Sequence, residues 1–230
     1  MGKRRYDDGC GVAHALDLVG ERWALLIVRD LLLGPKRFTD LQAGLPGAGP
    51  NVLSQRLRDL QHIGVVRRRT LPPPAGSQVY ELTDWGAELE PIVTAMGFWG
   101  ARSPVVPRTG EVRADSTMLL LRSHFRPQPA RTWTASYEFR LGRDIFAVRV
   151  VDGRLAELSR GQAYDRPDAV VETDSMTLGA LLGGQQRVAA AVTTGKLRLT
   201  GDPASVRRLF DACTAAVRPA ATTAPGTGTG

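Results

Sequence analysis

Apolar residues recur along positions 12–33 at mostly three- and four-residue spacing: Val12, Leu16, Val19, Trp23, Leu26, Ile27 and Leu31, with Asp30 in the same series. The series breaks near Gly20 and Glu21, which predicts two helices with a bend. Gly34-Pro35 stops the second, and Phe38, Leu41 and Leu45 predict a short third helix ending in Pro46-Gly47-Ala48-Gly49-Pro50. Asn51 opens a fourth, in which Leu53, Leu57 and Leu60 share one side while Asn51, Ser54, Gln55 and Arg58 share the other. After Gly64 the pattern shortens to that of a strand. Val65-Val66 begins it, Pro72-Pro73-Pro74-Ala75-Gly76-Ser77 turns, and Val79-Tyr80-Glu81-Leu82-Thr83 returns as a hairpin partner. Thr83 or Asp84 can then cap a helix whose stripe is Leu89, Ile92, Val93, Met96 and Trp99, before a linker at Ser103-Pro104-Val105-Val106-Pro107.

The second half alternates instead. Trp133, Ala135, Tyr137, Phe139 and Leu141 interleave with polar residues, as do Phe146, Val148 and Val150, and Asp152-Gly153 is a two-residue hairpin turn ahead of Leu155. These are antiparallel strands with one buried face. Helical patterns follow at 176–182, 187–194 and 206–217, with a short strand at 196–200 between the last two. The fold class is α+β in two domains, residues 1–104 and 111–218, with an Ala/Thr/Gly-rich tail at 219–230 that reads as disordered.

Composition adds limits. No run approaches the length of apolar residues that a membrane-spanning helix needs, and Met1-Gly2-Lys3-Arg4-Arg5-Tyr6-Asp7-Asp8 carries no apolar signal core, so the cytoplasm is the expected compartment. Cys10 and Cys213 make neither a disulfide framework nor a zinc spacing. The net charge of +7 is a weak pointer, because residues 1–104 hold 13 Lys/Arg against 11 Asp/Glu and the rest hold 17 against 12. The local pattern says more. From Lys36 to Arg69 stand Lys36, Arg37, Arg56, Arg58, Arg67, Arg68 and Arg69 against Asp40 and Asp59, a candidate phosphate-facing segment.

Helix, helix, breaker, helix and basic hairpin form the order in which a winged helix meets DNA, with the second helix of the pair in the major groove. Asn51, Ser54, Gln55 and Arg58 suit base edges or phosphates, and Arg67, Arg68 and Arg69 supply charge at the wing. Over roughly Cys10 to Ser103 the chain resembles the HxlR group of bacterial winged-helix regulators. The resemblance is carried by Cys10, Leu16-Asp17-Leu18-Val19-Gly20-Glu21-Arg22-Trp23, Arg37-Phe38-Thr39-Asp40-Leu41, Val52-Leu53-Ser54-Gln55-Arg56-Leu57-Arg58-Asp59-Leu60, Gly64 and Val79-Tyr80-Glu81-Leu82-Thr83. It departs from the group at Gly49, where a Ser is usual, and at Asn51, where a Lys is usual. The resemblance implies a DNA-binding transcriptional regulator, with Arg37, Asn51, Ser54, Gln55, Arg56, Arg58, Arg67, Arg68, Arg69 and Ser77 as candidate DNA contacts. A single winged helix reads too little DNA for useful specificity. A homodimer on an inverted-repeat operator is therefore expected, built from the first helix and the stripe from Leu89 to Trp99.

The second half is similar to sterol-carrier-protein-like domains at Val171-Glu172-Thr173-Asp174, Thr177-Leu178-Gly179-Ala180-Leu181-Leu182-Gly183 and Gly195-Lys196-Leu197-Arg198-Leu199-Thr200-Gly201-Asp202. This similarity implies a sheet and helices around an apolar cavity for a hydrophobic small-molecule effector. Trp133, Tyr137, Phe139, Phe146, Val148, Met176, Leu181 and Leu182 are the candidate lining residues. A filled core that only stiffens or dimerises the protein reads equally well.

Cys10 invites a redox or electrophile-sensing role in the resembled group, and the nearby Arg4, Arg5 and His14 would favour its thiolate; the alternative is a small apolar residue buried at a dimer interface. Cys213, on an apolar helix, reads as core. Cys10 and His14 lack a third metal ligand, and His14, His62 and His124 show no zincin spacing. No nucleophile elbow, phosphate loop or dinucleotide fingerprint occurs, so neither an enzyme nor a metal or cofactor is expected. The competing class is a lipid- or metabolite-binding protein whose helix-turn-helix serves protein interaction.

Overall fold

The computed structural model describes residues 6–104, 110, 112–128, 132–162 and 166–214. The linker positions 105–107, the tail from 219 and the pair Arg4 and Arg5 lie outside them. The chain forms two compact units, Met1–Leu119 and Leu120–Gly230.

The first unit opens with α1 (Gly11–Val19) and α2 (Ala24–Leu31), and the bend between them falls at the expected place. Trp23 makes that bend in the left-handed region, φ 77°, where a bulky L-residue is rare and is held by its surroundings. Its ring lies under the Arg22 guanidinium at 5.0 Å, and a Cβ added at Gly47 would stand 2.8 Å from Trp23 Cη2. Gly47 is therefore the glycine that lets the loop after the third helix close on this ring. α3 (Phe38–Gly44) and α4 (Pro50–His62) follow, then β1 (Val66–Thr70) and β2 (Gln78–Leu82) as an antiparallel hairpin. Lys36 extends the hairpin from the far side, its N–H donating to Tyr80 O and its carbonyl accepting from Tyr80 N. The core gathers Ile27 and Val28 of α2, Leu41 of α3, Leu53, Leu57 and Leu60 of α4, and Val65 and Val66.

The helix expected after Thr83 is divided. Thr83 caps a single turn, α5 (Asp84–Ala87), by accepting from Gly86 N, and Pro91 stands in the first turn of a new helix, α6 (Glu90–Ala101). Proline suits that place because the first helical N–H groups have no intrahelical acceptor to lose. A helix that the periodicity did not predict, α7 (Ala114–His124), follows.

In the second unit β3 (Ala135–Leu141), β4 (Asp144–Val151), β5 (Arg154–Arg160), β6 (Ala169–Thr173) and β7 (Leu197–Gly201) form one sheet in the order β5-β4-β3-β6-β7. The pairing is antiparallel except between β3 and β6, which run parallel. β6 was not among the predicted strands. α8 (Ser175–Leu182), α9 (Val188–Thr193) and α10 (Pro203–Thr214) complete the α+β unit. Asp174 caps α8 by accepting from the N–H and the hydroxyl of Thr177, each at 2.7 Å.

Candidate nucleic-acid interface

α4 is amphipathic for a simple reason: Leu53, Leu57 and Leu60 bury one side, so the residues between them must face solvent. Its start is set by Gly49 and Pro50, and the loop before it is tied by Gln42, whose amide nitrogen donates to Ala48 O at 2.6 Å. Asn51, Gln55 and Arg58 are exposed along the outward side, and Ser54 is half-buried beside them. The exposed groups are already organised. Arg58 Nη2 donates to Gln55 Oε1 at 2.7 Å, and Gln55 Nε2 donates to Asp59 Oδ1 at 3.0 Å. An amide and a guanidinium fixed side by side on a solvent-facing helix can meet the donor and acceptor edges of bases in a major groove.

Arg56 stands apart from this row. Its side chain is 15% exposed and bridges Asp59 at 3.0 Å and Glu21 at 3.2 Å. It ties α4 to the corner before α2. The signal was present in the sequence: position 56 is three residues past Leu53 and four before Leu60, on the flank of the apolar stripe.

Arg37 is exposed at the start of α3, its N–H donating to Asp40 Oδ2 at 3.1 Å. Lys36, counted above with the phosphate-facing cations, is 5% exposed and turned inward. That assignment is corrected: the Lys36 ammonium donates to Asp115 Oδ2 at 2.7 Å, which keeps the side chain inside.

The wing separates its three arginines by strand alternation. Arg67 pairs in register with Glu81 and Arg69 with Val79, on one face, while Arg68 pairs with Tyr80 on the other. Glu81 takes both neighbours, Arg67 Nε at 2.8 Å and Arg69 Nη2 at 2.8 Å. The Arg69 hydrogen bond is the largest influence holding the Glu81 carboxyl below the usual carboxylate range, burial opposes it, and Arg67 adds to it. Arg68 bonds Gln78 and lies over the Tyr80 ring at 5.9 Å. Ser77 is half-buried and donates to Ala75 O at 2.9 Å, so it shapes its own turn. At the wing root Thr83 donates to Gly64 O at 2.6 Å, and a Cβ at Gly86 would run into Val65 O.

The eight residues read as a ligand lining divide differently. Trp133, Tyr137, Phe139, Phe146, Val148, Leu181 and Leu182 are buried, whereas Met176 is 75% exposed. Phe139 and Phe146 are cross-strand partners, as are Tyr137 and Val148. Tyr137 Oη accepts from Trp133 Nε1 at 3.1 Å and donates to Ser205 O of α10 at 3.0 Å, and burial raises its pKa. Cys213 is buried in α10, its thiol pushed up to about 12 by burial. Among the described residues no cluster of three or more His, Cys, Asp or Glu could hold a metal, and no helix is long and apolar enough to cross a membrane.

Residues 18–105 match the HxlR-like helix-turn-helix family. Over 85 residues the chain is 41% identical to the uncharacterized HTH-type transcriptional regulator YvaP of Bacillus subtilis, covering 37% of this chain and 79% of that protein. It is 34% identical over 87 residues to the uncharacterized HTH-type transcriptional regulator sll1512 of Synechocystis sp., covering 38% and 64%. With the HTH-type transcriptional regulator YodB of Bacillus subtilis it shares 34% identity over 85 residues, covering 37% and 76%. With the helix pair, the outward row on α4 and the basic hairpin in place, the chain belongs to the HxlR-like helix-turn-helix family, and residues 18–105 carry the membership.

Proposed function

We propose that this protein is a sequence-specific transcriptional regulator that binds double-stranded DNA as a homodimer on an inverted repeat. The observation that carries the reading is the exposed, mutually bonded row of Gln55 and Arg58 on α4, beside the arginines of the wing. Base contacts come from Asn51, Gln55 and Arg58, and phosphate contacts from Arg37, Arg67, Arg68 and Arg69. Arg56 serves from inside, by holding α4.

The homodimer rests on α6. This largely apolar helix has no fully buried residue: Val93, with Leu89 just ahead of the helix, leans on the core, while Ile92, Met96 and Trp99 stay exposed, as do Val12 and Leu16 of α1. A second copy of this chain covers those residues. Of the candidate lining residues in the second unit seven are buried and Met176 is exposed, and the DNA reading stands whether or not a hydrophobic effector binds there.

The test is selection of duplexes from a random pool by the purified full chain, followed by binding titrations over a salt series. Enrichment of a two-fold symmetric sequence supports the reading. Retention of no duplex above background at any salt favours the competing class, a metabolite-binding protein whose helix-turn-helix serves protein contacts.

One observation favours a second role. Cys10 is exposed at the start of α1, and its thiol is lowered by hydrogen bonds from the backbone N–H groups of Ala13 and then Val12. A thiol so placed is open to electrophiles, as a regulator sensing them requires. Operator affinity that changes on alkylation of wild type but not of Cys10→Ser supports this role, and unchanged affinity removes it.

A further inference from the structure

Beneath the helix pair lies a buried ionic cluster that the DNA-reading surface does not use. Asp30 of α2 is 1% exposed and receives Arg29 on Oδ1 at 2.7 Å. Its other oxygen, Oδ2, accepts no hydrogen bond among the described residues and stands 3.6 Å from Lys36 Nζ. The Lys36 ammonium donates instead to Asp115 Oδ2 at 2.7 Å, in the first turn of α7. Arg113, one residue ahead of that helix, donates to Ala43 O of α3 at 3.2 Å. All of these residues lie in the first unit, and Asp115 and Arg113 lie beyond the residues that match the family.

We propose that Asp115 and Arg113 are positioning residues for DNA reading, because they hold α3 at both of its ends. At the start, Lys36 precedes α3 by two residues, its backbone is bonded to Tyr80 of the wing, and its ammonium is held by Asp115. At the finish, Arg113 holds Ala43. A Cβ at neighbouring Gly44 would meet Asp30 Oδ2, so the end of α3 packs directly against that carboxylate. The orientation of α3 passes to α4 through the short loop that Gln42 ties at Ala48. Removal of the Asp115 carboxylate leaves a buried ammonium without its closest anion, a costly state in a low-dielectric setting. The nearest remedy is Asp30 Oδ2, whose lone pairs are open, and reaching it draws the entry of α3 toward α2. The loop and the outward row of α4 then shift together. The inference rests on the DNA-binding reading above for its function but not for its geometry.

The experiment compares full-length wild type, Asp115→Ala, Arg113→Ala and the double variant Lys36→Met/Asp115→Leu. One readout is hydrogen exchange over residues 38–50, and the other is binding to the wild-type-selected duplex and to an unrelated duplex at fixed salt. Asp115→Ala is expected to speed exchange in that segment and to weaken selected-duplex binding roughly fivefold, the scale of couplings carried by residues remote from a ligand. Unrelated-duplex binding should stay within about twofold, since phosphate contacts tolerate small shifts. The double variant, which removes the buried ammonium together with its closest anion and leaves Asp30 paired with Arg29, should recover the exchange pattern. Unchanged exchange over 38–50 overturns the proposal, as does equal loss on both duplexes. If Asp115→Ala does not fold, the same two comparisons on Arg113→Ala decide. If wild type selects no duplex, the DNA reading fails, and exchange alone decides whether these residues position α3 and α4.

Discussion

Each unit buries an apolar core, but the two leave different amounts of apolar surface in solvent. The first leaves Val12, Leu16, Ile92, Met96 and Trp99 in solvent and arranges polar side chains outward along α4 and the wing. The second buries Tyr137, Phe139 and Phe146 completely and satisfies even the tyrosine hydroxyl internally, from Trp133 and to Ser205. A buried polar group that finds its partners within its own unit makes no demand on another molecule, whereas exposed apolar area gains by being covered. Among the described residues the contrast separates a unit that leaves a broad apolar surface open from one whose exposed large apolar side chains are Met176 and Val192. It also sorts substitutions into those that cost folding and those that cost assembly or recognition.

The largest effect should fall in the second unit. Phe139→Ala removes a fully buried ring facing Phe146 across the strand pair, and it should cost about 3–5 kcal/mol. Hydrogen exchange of β3 and β4 under urea measures this. A loss near zero would mean that the sheet face is not closely packed, and the contrast between the units would collapse.

Trp99→Ala tests the other side of the contrast. Trp99 is 76% exposed, so truncation should leave the stability of the folded chain within about 0.5 kcal/mol. Dimer dissociation should become easier by about 2–4 kcal/mol, the range of an aromatic anchor at an interface. Sedimentation equilibrium of variant and wild type gives that difference directly. A wild type that is monomeric at micromolar concentration, both free and on DNA, removes the dimer.

Within the first unit, Gln55→Ala or Arg58→Ala should reduce discrimination between selected and unrelated duplexes by about 1–3 kcal/mol. Arg68→Ala should weaken both alike and lower the salt dependence by about one counterion. Titrations of the three variants across a salt series distinguish the two behaviours. Equal affinity of all three with wild type takes these side chains off the interface.

The parts of this arrangement that were legible in the sequence are those governed by neighbours along the chain. α1 to α4 show as three- and four-residue apolar spacing with Gly-Pro breakers, and the wing shows as β-branched runs around a proline turn. β6 was missed because its partners are remote in sequence: its five residues run parallel to β3 and so belong to no hairpin. α7 was missed because Asp115, Thr117 and His124, all buried, interrupt the apolar stripe of Met118, Leu121 and Phe125. Lys36 read as a surface cation because its partner Asp115 stands 79 residues away, a distance over which charge pattern carries no information. Arg56 is the instructive middle case, since its place on the α4 flank was readable but its ties to Glu21 and Asp59 were not.

The smallest expected effect belongs to Glu81, and it tests how outward the first unit is. Three wing arginines look like three phosphate ligands, yet Glu81 engages two of them, so the net charge offered by that strand pair is smaller than the arginines alone suggest. Its carboxyl titrates below the ordinary range, with the Arg69 hydrogen bond the larger favourable cause. Because the folded pKa lies below the unfolded one, the pair's contribution is complete above the unfolded value and is lost as pH falls through the folded one. That window lies below the usual glutamate range, so the wing pairing is fully present at neutral pH. In an NMR titration of the Glu81 carboxyl, Arg69→Ala should therefore raise the midpoint more than Arg67→Ala does. Glu81→Gln should release both arginines and steepen the salt dependence of DNA binding by up to about 0.9, the share of one phosphate. The gain should appear on selected and unrelated duplexes alike, because an unpaired wing arginine adds charge but reads no base. An ordinary Glu81 midpoint together with an unchanged salt slope would show that both arginines already face the phosphates unencumbered.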